Sequence, residues 1–433
     1  MKIESLEIRL GGRVIGHLYS LGSASAIRFA DGYLLEPTES RPVLSLSLAR
    51  QQPGLPDARK RHRYYPAQLP PFFENLLPEG SFLDLISRTT KIDRNDRFAI
   101  LAALGEDLPG AVALAPGSAP GPALEYDGDT YEAQIATLAD GPIRFSLAGT
   151  QLKFSVYERE GKLVFRAGGV GGRSIVKLPH SRYPSVPENE YTCLRLAEAV
   201  GVDIPQIALI RTENVEGIPV SVEELKDTYS FVTSRFDRNS ADGKIHIEDV
   251  AQALGAPPGR KYDFNFDTVV NLVVNSVLED EREAAIEQLV KRSLVNVLIG
   301  NSDGHAKNWS LIYRDGVHPA LAPAYDVLST IPYIHNHDVG LKIGGSQQFR
   351  EVNEGAYLRL AKRVGISPEF VARAYWQTLE AALDTWPGLL RQLPAGDYLT
   401  GYLGEHWRRL TVRGSLPLPE PGSGSGSQSL IVS

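Results

Sequence analysis

Residues 301–308 read Asn-Ser-Asp-Gly-His-Ala-Lys-Asn and hold two groups that phosphoryl transfer needs. Such a reaction requires a carboxylate to take the acceptor hydroxyl's proton and oxygen ligands to hold Mg²⁺ against the phosphates. Asp303 and Asn308 have the D-x-x-x-x-N spacing in which protein kinases place their base and one metal ligand. Asp326 follows, in Ala324-Tyr325-Asp326, and suits the second metal ligand, since Asp and Asn oxygens are hard donors of the kind Mg²⁺ prefers. Lys307, between base and metal ligand, could neutralise charge on the transferring group. Isolated Asp and Asn are common in turns, and Asp303-Gly304 alone would make a plain turn. The context sets this group apart: an apolar helical rhythm before it, a strand pattern after it, then a further Asp.

The same chemistry calls for a strand lysine paired with a helix glutamate to hold the α- and β-phosphates. Lys177, in Ser174-Ile175-Val176-Lys177-Leu178, fits the V-A-I-K pattern. Glu190 opens the next helical stretch and is the leading partner, with Glu188 as the other candidate. For the loop over the phosphates, residues 168–172 (Gly-Gly-Val-Gly-Gly) lack the G-x-G-x-x-G form and read as a flexible connection. Residues 146–153 (Ser-Leu-Ala-Gly-Thr-Gln-Leu-Lys) are the better candidate, because small residues before a strand let backbone N–H groups approach phosphate oxygens.

Three stretches must position these groups. The first begins β-rich: residues 6–10, Gly11-Gly12 and residues 14–18 read as strand, turn, strand. Residues 64–69 look irregular, residues 72–78 form an apolar run stopped by proline, and residues 81–88 and 97–105 look like short helices. The breaker-rich residues 115–122 mark a boundary. In the second stretch, residues 153–157 and 163–166 suggest a hairpin, 174–178 another strand, 190–200 a helix and 230–236 a strand. The third is helical: residues 281–300 carry Ile286, Leu289, Val290, Leu294, Val297 and Leu298 at i, i+3, i+4 spacing and end at Gly300. Trp309, Leu311 and Tyr313 alternate like a strand, and helices resume at 356–364 and 368–383.

Composition narrows the classes. The chain has 433 residues, 42% hydrophobic and 22% charged, ordinary for a globular enzyme of two or three units. A formal charge of −7 supplies no basic surplus for nucleic acid, and the run 59–63 (Arg-Lys-Arg-His-Arg) reads as a solvated loop face. The single cysteine, Cys193, excludes an intrachain disulfide and reads as a small core residue. Residues 1–10 alternate like a strand rather than a signal peptide, and no apolar run reaches membrane-spanning length, so a cytoplasmic location with no membrane partner is expected.

These residues together resemble the HipA kinases, the toxin component of bacterial HipBA toxin–antitoxin pairs. The resemblance runs through most of residues 1–410. It includes Arg41-Pro42 with residues 44–48, residues 72–78, residues 105–112, the 146–153 loop, residues 175–179, residues 188–191, Arg235-Phe236-Asp237-Arg238 and the 303–308 signature. It implies an α+β fold in three parts: a β-rich N-terminal subdomain (1–122), a kinase-like small lobe (123–238) and an all-α large lobe (239–415). The Pro-, Gly- and Ser-rich residues 416–433 read as a disordered tail. Carried residue by residue, it makes Asp303 the catalytic base, with Asn308 and Asp326 at Mg²⁺. It places ATP phosphates near Ala148, Gly149, Thr150, Gln151, Leu152, Lys153 and Lys177, and adenine against the backbone of Ser234, Arg235 and Phe236. His305, Lys307 and Tyr325 fall in the same nucleotide site, His305 also being readable as a hydrogen-bonded loop anchor.

The resemblance further implies autophosphorylation at Ser146, whose phosphate would repel ATP. It also implies neutralisation by a HipB-like helix-turn-helix antitoxin, contact with operator DNA only through that antitoxin, and an aminoacyl-tRNA synthetase as the protein substrate. The chain departs from the better-known pattern in having Ser234 in place of an acidic hinge residue, and Ser302 where H-R-D kinases have arginine. Two other functions compete. A degenerate kinase serving as co-repressor scaffold would not need Lys177, Asp303, Asn308 and Asp326 intact together. A small-molecule phosphotransferase would lack the N-terminal motifs.

Overall fold

The computed structural model describes residues 4–49, 62–105, 108–117, 152–159, 162–165, 172–180, 182–217, 228–239 and 243–410. Ser146, the loop through Gln151 and the expected tail lie outside them.

Alternating apolar residues build the first unit. In β1 (Ser5–Leu10) Leu6, Ile8 and Leu10 are buried while Arg9 is exposed, the period-two signature of a strand with one covered face. Gly11 and Gly12, both at positive φ, turn the chain into β2 (Arg13–Leu21). With β3 (Ala24–Phe29), β4 (His62–Tyr65) and β5 (Val112–Pro116) they form an antiparallel sheet ordered β4-β3-β2-β1-β5. The apolar run places Phe72 and Phe73 in its core, edge to face with ring centroids 5.2 Å apart. Helices α1 (Gly80–Thr90) and α2 (Arg97–Leu104) follow. Two expectations change here. Residues 62–65 are a strand rather than irregular chain, and Arg63 is buried, not solvated: its Nη2 donates to the Leu48 carbonyl at 2.7 Å.

The second sheet, ordered β10-β7-β6-β8-β11-β9, carries the strand lysine. It comprises β6 (Lys153–Arg159), β7 (Lys162–Val164), β8 (Ser174–Lys177), β9 (Ile207–Arg211), β10 (Val215–Glu216) and β11 (Tyr229–Ser234). Helix α3 (Val186–Ala199) packs on β11 and β9 and starts four residues earlier than the spacing suggests, with Pro187 in its first turn, where a missing N–H costs nothing.

The third unit is built on α4 (Phe266–Val274), α5 (Arg282–Leu298), α6 (Glu354–Val364), α7 (Pro368–Leu390) and α8 (Gly396–Arg409). It was expected to be all-α, and it also carries two small sheets, β12 (His246–Asp249), β13 (Ser310–Tyr313) and β14 (Ala320–Leu321), then β15 (Asp338–Ile343) with β16 (Ser346–Gln348). Every residue of β13 is buried, so this strand is covered on both faces. α7 continues past Leu383 through Pro387 to Leu390, held by Trp386, whose indole N–H donates to the Leu196 carbonyl at 2.9 Å. Cys193 is a buried free thiol within α3. Among the described residues no helix is long and apolar enough to cross a membrane.

The units are joined by buried polar contacts. Leu46 N–H donates to Glu248 at 2.9 Å, Asn75 Nδ2 to the Ala256 carbonyl at 2.8 Å, and Gly110 N–H to Asp237 at 2.8 Å. Each pairs a group that would be costly to bury alone.

Candidate active site

The loop after α5 takes its shape from the end of that helix. Carbonyls of the last turn have no partner inside a helix. Here His406 Nε2 lies 2.7 Å from the Val297 carbonyl, and the Trp407 indole N–H donates to the Leu298 carbonyl at 2.7 Å. Gly300 then turns the chain at φ 67°, and a Cβ there would meet the Ile331 side chain at 2.1 Å. Asn301 Oδ1 accepts from Asp303 N–H at 3.0 Å, and the Asp303 carbonyl accepts from His305 N–H at 2.9 Å. Asp303 is 2% exposed and takes a hydrogen bond from the Tyr262 hydroxyl on Oδ1. Lys307 and Asn308 follow in a single 3₁₀ turn, Ala306–Asn308.

Lys177 at the end of β8 meets Glu190 of α3 at 2.6 Å and is also bonded to Asp326. The alternative partner, Glu188, is not the one bonded to it. Burial disfavours the Lys177 ammonium, but Asp326 and then Glu190 outweigh it and raise its pKa. Burial likewise works against the Asp326 carboxylate, and the Lys177 and Lys153 ammonium groups overcome that and hold it ionised. Glu190 goes the other way: burial raises it by more than Lys177 lowers it. Asp326 adopts φ 52°, a left-handed conformation that Asp tolerates better than most residues and that is often found at active sites.

Lys153 pairs in register with Lys177 across β6 and β8, so two like charges face the same carboxylate. Its side chain is largely exposed; crowding by the protein and then the Lys177 and Lys307 ammonium groups lower its pKa, against the pull of Asp326. Leu152 is half-buried, its carbonyl accepting from Leu178 N–H at 3.0 Å. Residues 148–151 lie outside the described residues.

At the hinge, the N–H groups of Ser234 and Arg235 are committed to the Gln206 and Arg173 carbonyls, at 2.8 and 2.7 Å. A base resting there would therefore need other backbone groups than those two donors, which narrows the expected adenine contact. The Arg235 guanidinium bonds Asp237 at 2.8 and 2.9 Å. Phe236 faces Tyr325 with ring centroids 5.8 Å apart, and the Tyr325 hydroxyl donates to the Lys307 carbonyl at 2.7 Å.

Among the described residues, several buried polar atoms here have no hydrogen-bond partner: Asn308 Oδ1, Glu190 Oε2 and both ring nitrogens of His305. Orphaned polar atoms are costly, and their concentration in one place fits a polar ligand. His305 is therefore not a loop anchor through its ring. Burial pushes its pKa down to about 3, with the Lys261 charge adding to the effect, so the ring is neutral. No group of three or more His, Cys, Asp or Glu placed to hold a metal occurs among the described residues. The oxygens of Asn308 and Asp326 suit a Mg²⁺ ion that takes its remaining ligands from a nucleotide, because Mg²⁺ favours one or two protein ligands plus substrate phosphates.

Sequence reading missed three contributors. Tyr262 reaches Asp303 from the segment before α4. Glu79 bonds Lys307 at 2.6 Å and Lys261 at 2.8 Å. No local spacing signals any of these, since the partners are far apart in the chain.

A sheet with a lysine paired to a helix glutamate, over a mainly helical lobe whose loop carries D-x-x-x-x-N, defines a kinase-like fold. Comparison with known proteins agrees. The HipA N-terminal domain family matches residues 6–115 and the HipA-like C-terminal domain family residues 145–386. The Y4dM protein of Sinorhizobium fredii is 35% identical over 414 residues, covering 94% of this chain and 97% of its own. The serine/threonine-protein kinase toxin HipA of Shewanella oneidensis is 27% identical over 366 residues, covering 77% of this chain and 76% of its own. A solved Shewanella oneidensis complex of HipA, HipB and operator DNA has a chain that superposes with TM-score 0.70 at 20% identity, covering 93% of this chain and 96% of that one. The chain belongs to the HipA family of kinases.

Proposed function

We propose that this chain is an ATP-dependent serine/threonine protein kinase acting as a growth-arresting toxin, with Asp303 as catalytic base. The observation that carries the reading is the buried Lys177–Glu190–Asp326 cluster beside the Asp303–Asn308 loop. When bound, Mg²⁺-ATP supplies the phosphoryl group and neutralises part of its charge. Lys177, fixed by Glu190, would orient the α- and β-phosphates, and Asn308 and Asp326 would hold the metal. Asp303, steadied by Tyr262, accepts the proton of the acceptor hydroxyl as its oxygen bonds to the γ-phosphorus and the bond to the departing ADP oxygen breaks. The family resemblance puts the adenine near the backbone of Ser234, Arg235 and Phe236, with Tyr325 in the same site.

The family resemblance supports three finer assignments. Ser146 is the self-inhibitory phosphorylation site, an aminoacyl-tRNA synthetase is the protein substrate, and a HipB-like antitoxin neutralises the chain and links it to operator DNA. The Shewanella HipA complex with HipB and operator DNA is consistent with the last of these.

The test is mapping of label from γ-labelled Mg²⁺-ATP on freshly dephosphorylated wild type and on Ser146→Ala. Label on Ser146, and a variant whose activity towards other acceptors survives preincubation with ATP, are expected. Absence of label despite bound ATP would favour a scaffold that acts only with its antitoxin on DNA.

A further inference from the structure

We infer that Glu79, which belongs to the N-terminal unit, is a positioning residue for phosphoryl transfer, holding Lys307 where charge develops on the transferred group. The inference rests on the kinase reading above and extends it to a residue outside both lobes.

Glu79 stands at the N-cap of α1, yet its side chain makes no capping bond. It turns instead to the catalytic loop, with Oε1 2.6 Å from Lys307 Nζ and Oε2 2.8 Å from Lys261 Nζ. The segment that delivers it is firmly held. Asn75 Nδ2 donates to the Pro71 and Ala256 carbonyls at 2.9 and 2.8 Å, Gln252 Nε2 donates to the Phe72 carbonyl at 2.9 Å, and Leu76 and Leu77 are buried. The Asn75 carbonyl adds a second acceptor for Lys307, at 3.4 Å.

Charge decides what this carboxylate does. Burial would raise its pKa, but Lys307 and then Lys261 pull it down to about 2, so it is ionised throughout the working range. Two ammonium groups face one carboxylate, which leaves a single positive charge next to Asn308. A lysine stem has four rotatable carbons and loses rotamer freedom when fixed. Glu79 fixes it in advance, so that less reorganisation remains at the moment of transfer, which is the advantage of a preorganised site. Without it the Lys307 and Lys261 ammonium groups would repel, and Lys307 would keep only the Asn75 carbonyl, at 3.4 Å.

The experiment is label transfer from γ-labelled Mg²⁺-ATP to the full chain, followed as rate against ATP concentration, for wild type, Glu79→Gln, Glu79→Asp, Lys307→Gln and the Glu79→Gln/Lys307→Gln pair. Glu79→Gln is expected to lower the maximal rate about 10-fold while the half-saturating ATP concentration changes less than about threefold, as for an interaction used in the transition state. Glu79→Asp, which keeps the charge, is expected to retain more of the rate, with both variants melting alike. The double variant is expected to lose no more than Lys307→Gln alone, because Glu79 acts through that lysine. A Glu79→Gln rate equal to wild type would overturn the inference. So would losses that add in the double variant, or losses that follow melting temperature and not charge. A wild type that transfers nothing would instead overturn the kinase reading, and this inference with it.

Discussion

Lys177 Nζ lies 2.6 Å from Glu190 Oε1, with both side chains less than a tenth exposed. The pair ties β8 to α3, and Asp326 also bonds Lys177. A buried ion pair is a modest source of stability when intact, but removing one partner strands a charge.

Lys177→Met therefore leaves Glu190 and Asp326 without the cation that both of them bond. Its expected cost in urea unfolding is about 3–5 kcal/mol at neutral pH. The stranded acids favour the protonated form in the fold, so the deficit shrinks as pH falls towards 5. A deficit that does not vary with pH would contradict this assignment of charge.

Asp237 joins the N-terminal unit to the hinge. Its carboxylate accepts from Gly110 N–H, from Arg235 and from Arg238, all at 2.8–2.9 Å. Burial opposes its ionisation, but the Arg235 and Arg238 guanidiniums outweigh it and lower its pKa. Asp237→Asn should cost about 3 kcal/mol by leaving two guanidiniums short of charge. In wild type this contribution is present above the carboxylate's unfolded pKa and is lost as pH falls through the lowered one. Urea midpoints of the two proteins compared from pH 7 downward check both parts; the gap should stay constant above the carboxylate's unfolded pKa and narrow below it.

Glu248 has the opposite sign. Burial pushes it up to about 7, although Tyr313 donates to it at 2.5 Å and Leu46 N–H at 2.9 Å. The fold holds its proton where the unfolded chain has released it, so wild type loses stability as pH rises from about 4.5 to 7 and no further above that. Glu248→Gln removes this titration while keeping an acceptor for Leu46. The variant should gain on wild type by on the order of 3 kcal/mol between pH 4.5 and 8. Equal differences at both ends would place the proton elsewhere.

What could be read from the sequence was local. The β1 alternation, the Gly11-Gly12 turn, the α5 rhythm ending at Gly300 and the Val176-Lys177 strand end all lie within a few residues of their cause. Glu79 and Lys307 are 228 residues apart and Tyr262 and Asp303 are 41 apart, so nothing near either member announces the other. Arg63 misled because a basic run suggests solvent, whereas strand pairing in β4 turns this one side chain inward to the Leu48 carbonyl. The small sheets of the helical unit have strands as short as Ala320–Leu321, too brief for any periodicity to register.

The most direct test of the account is label transfer from γ-labelled Mg²⁺-ATP by Asp303→Asn against wild type, with ATP affinity measured on both. Transfer is expected to fall by roughly 10²–10⁴-fold, as for a lost general base, while ATP affinity changes little. Transfer by Asp303→Asn at the wild-type rate would contradict it.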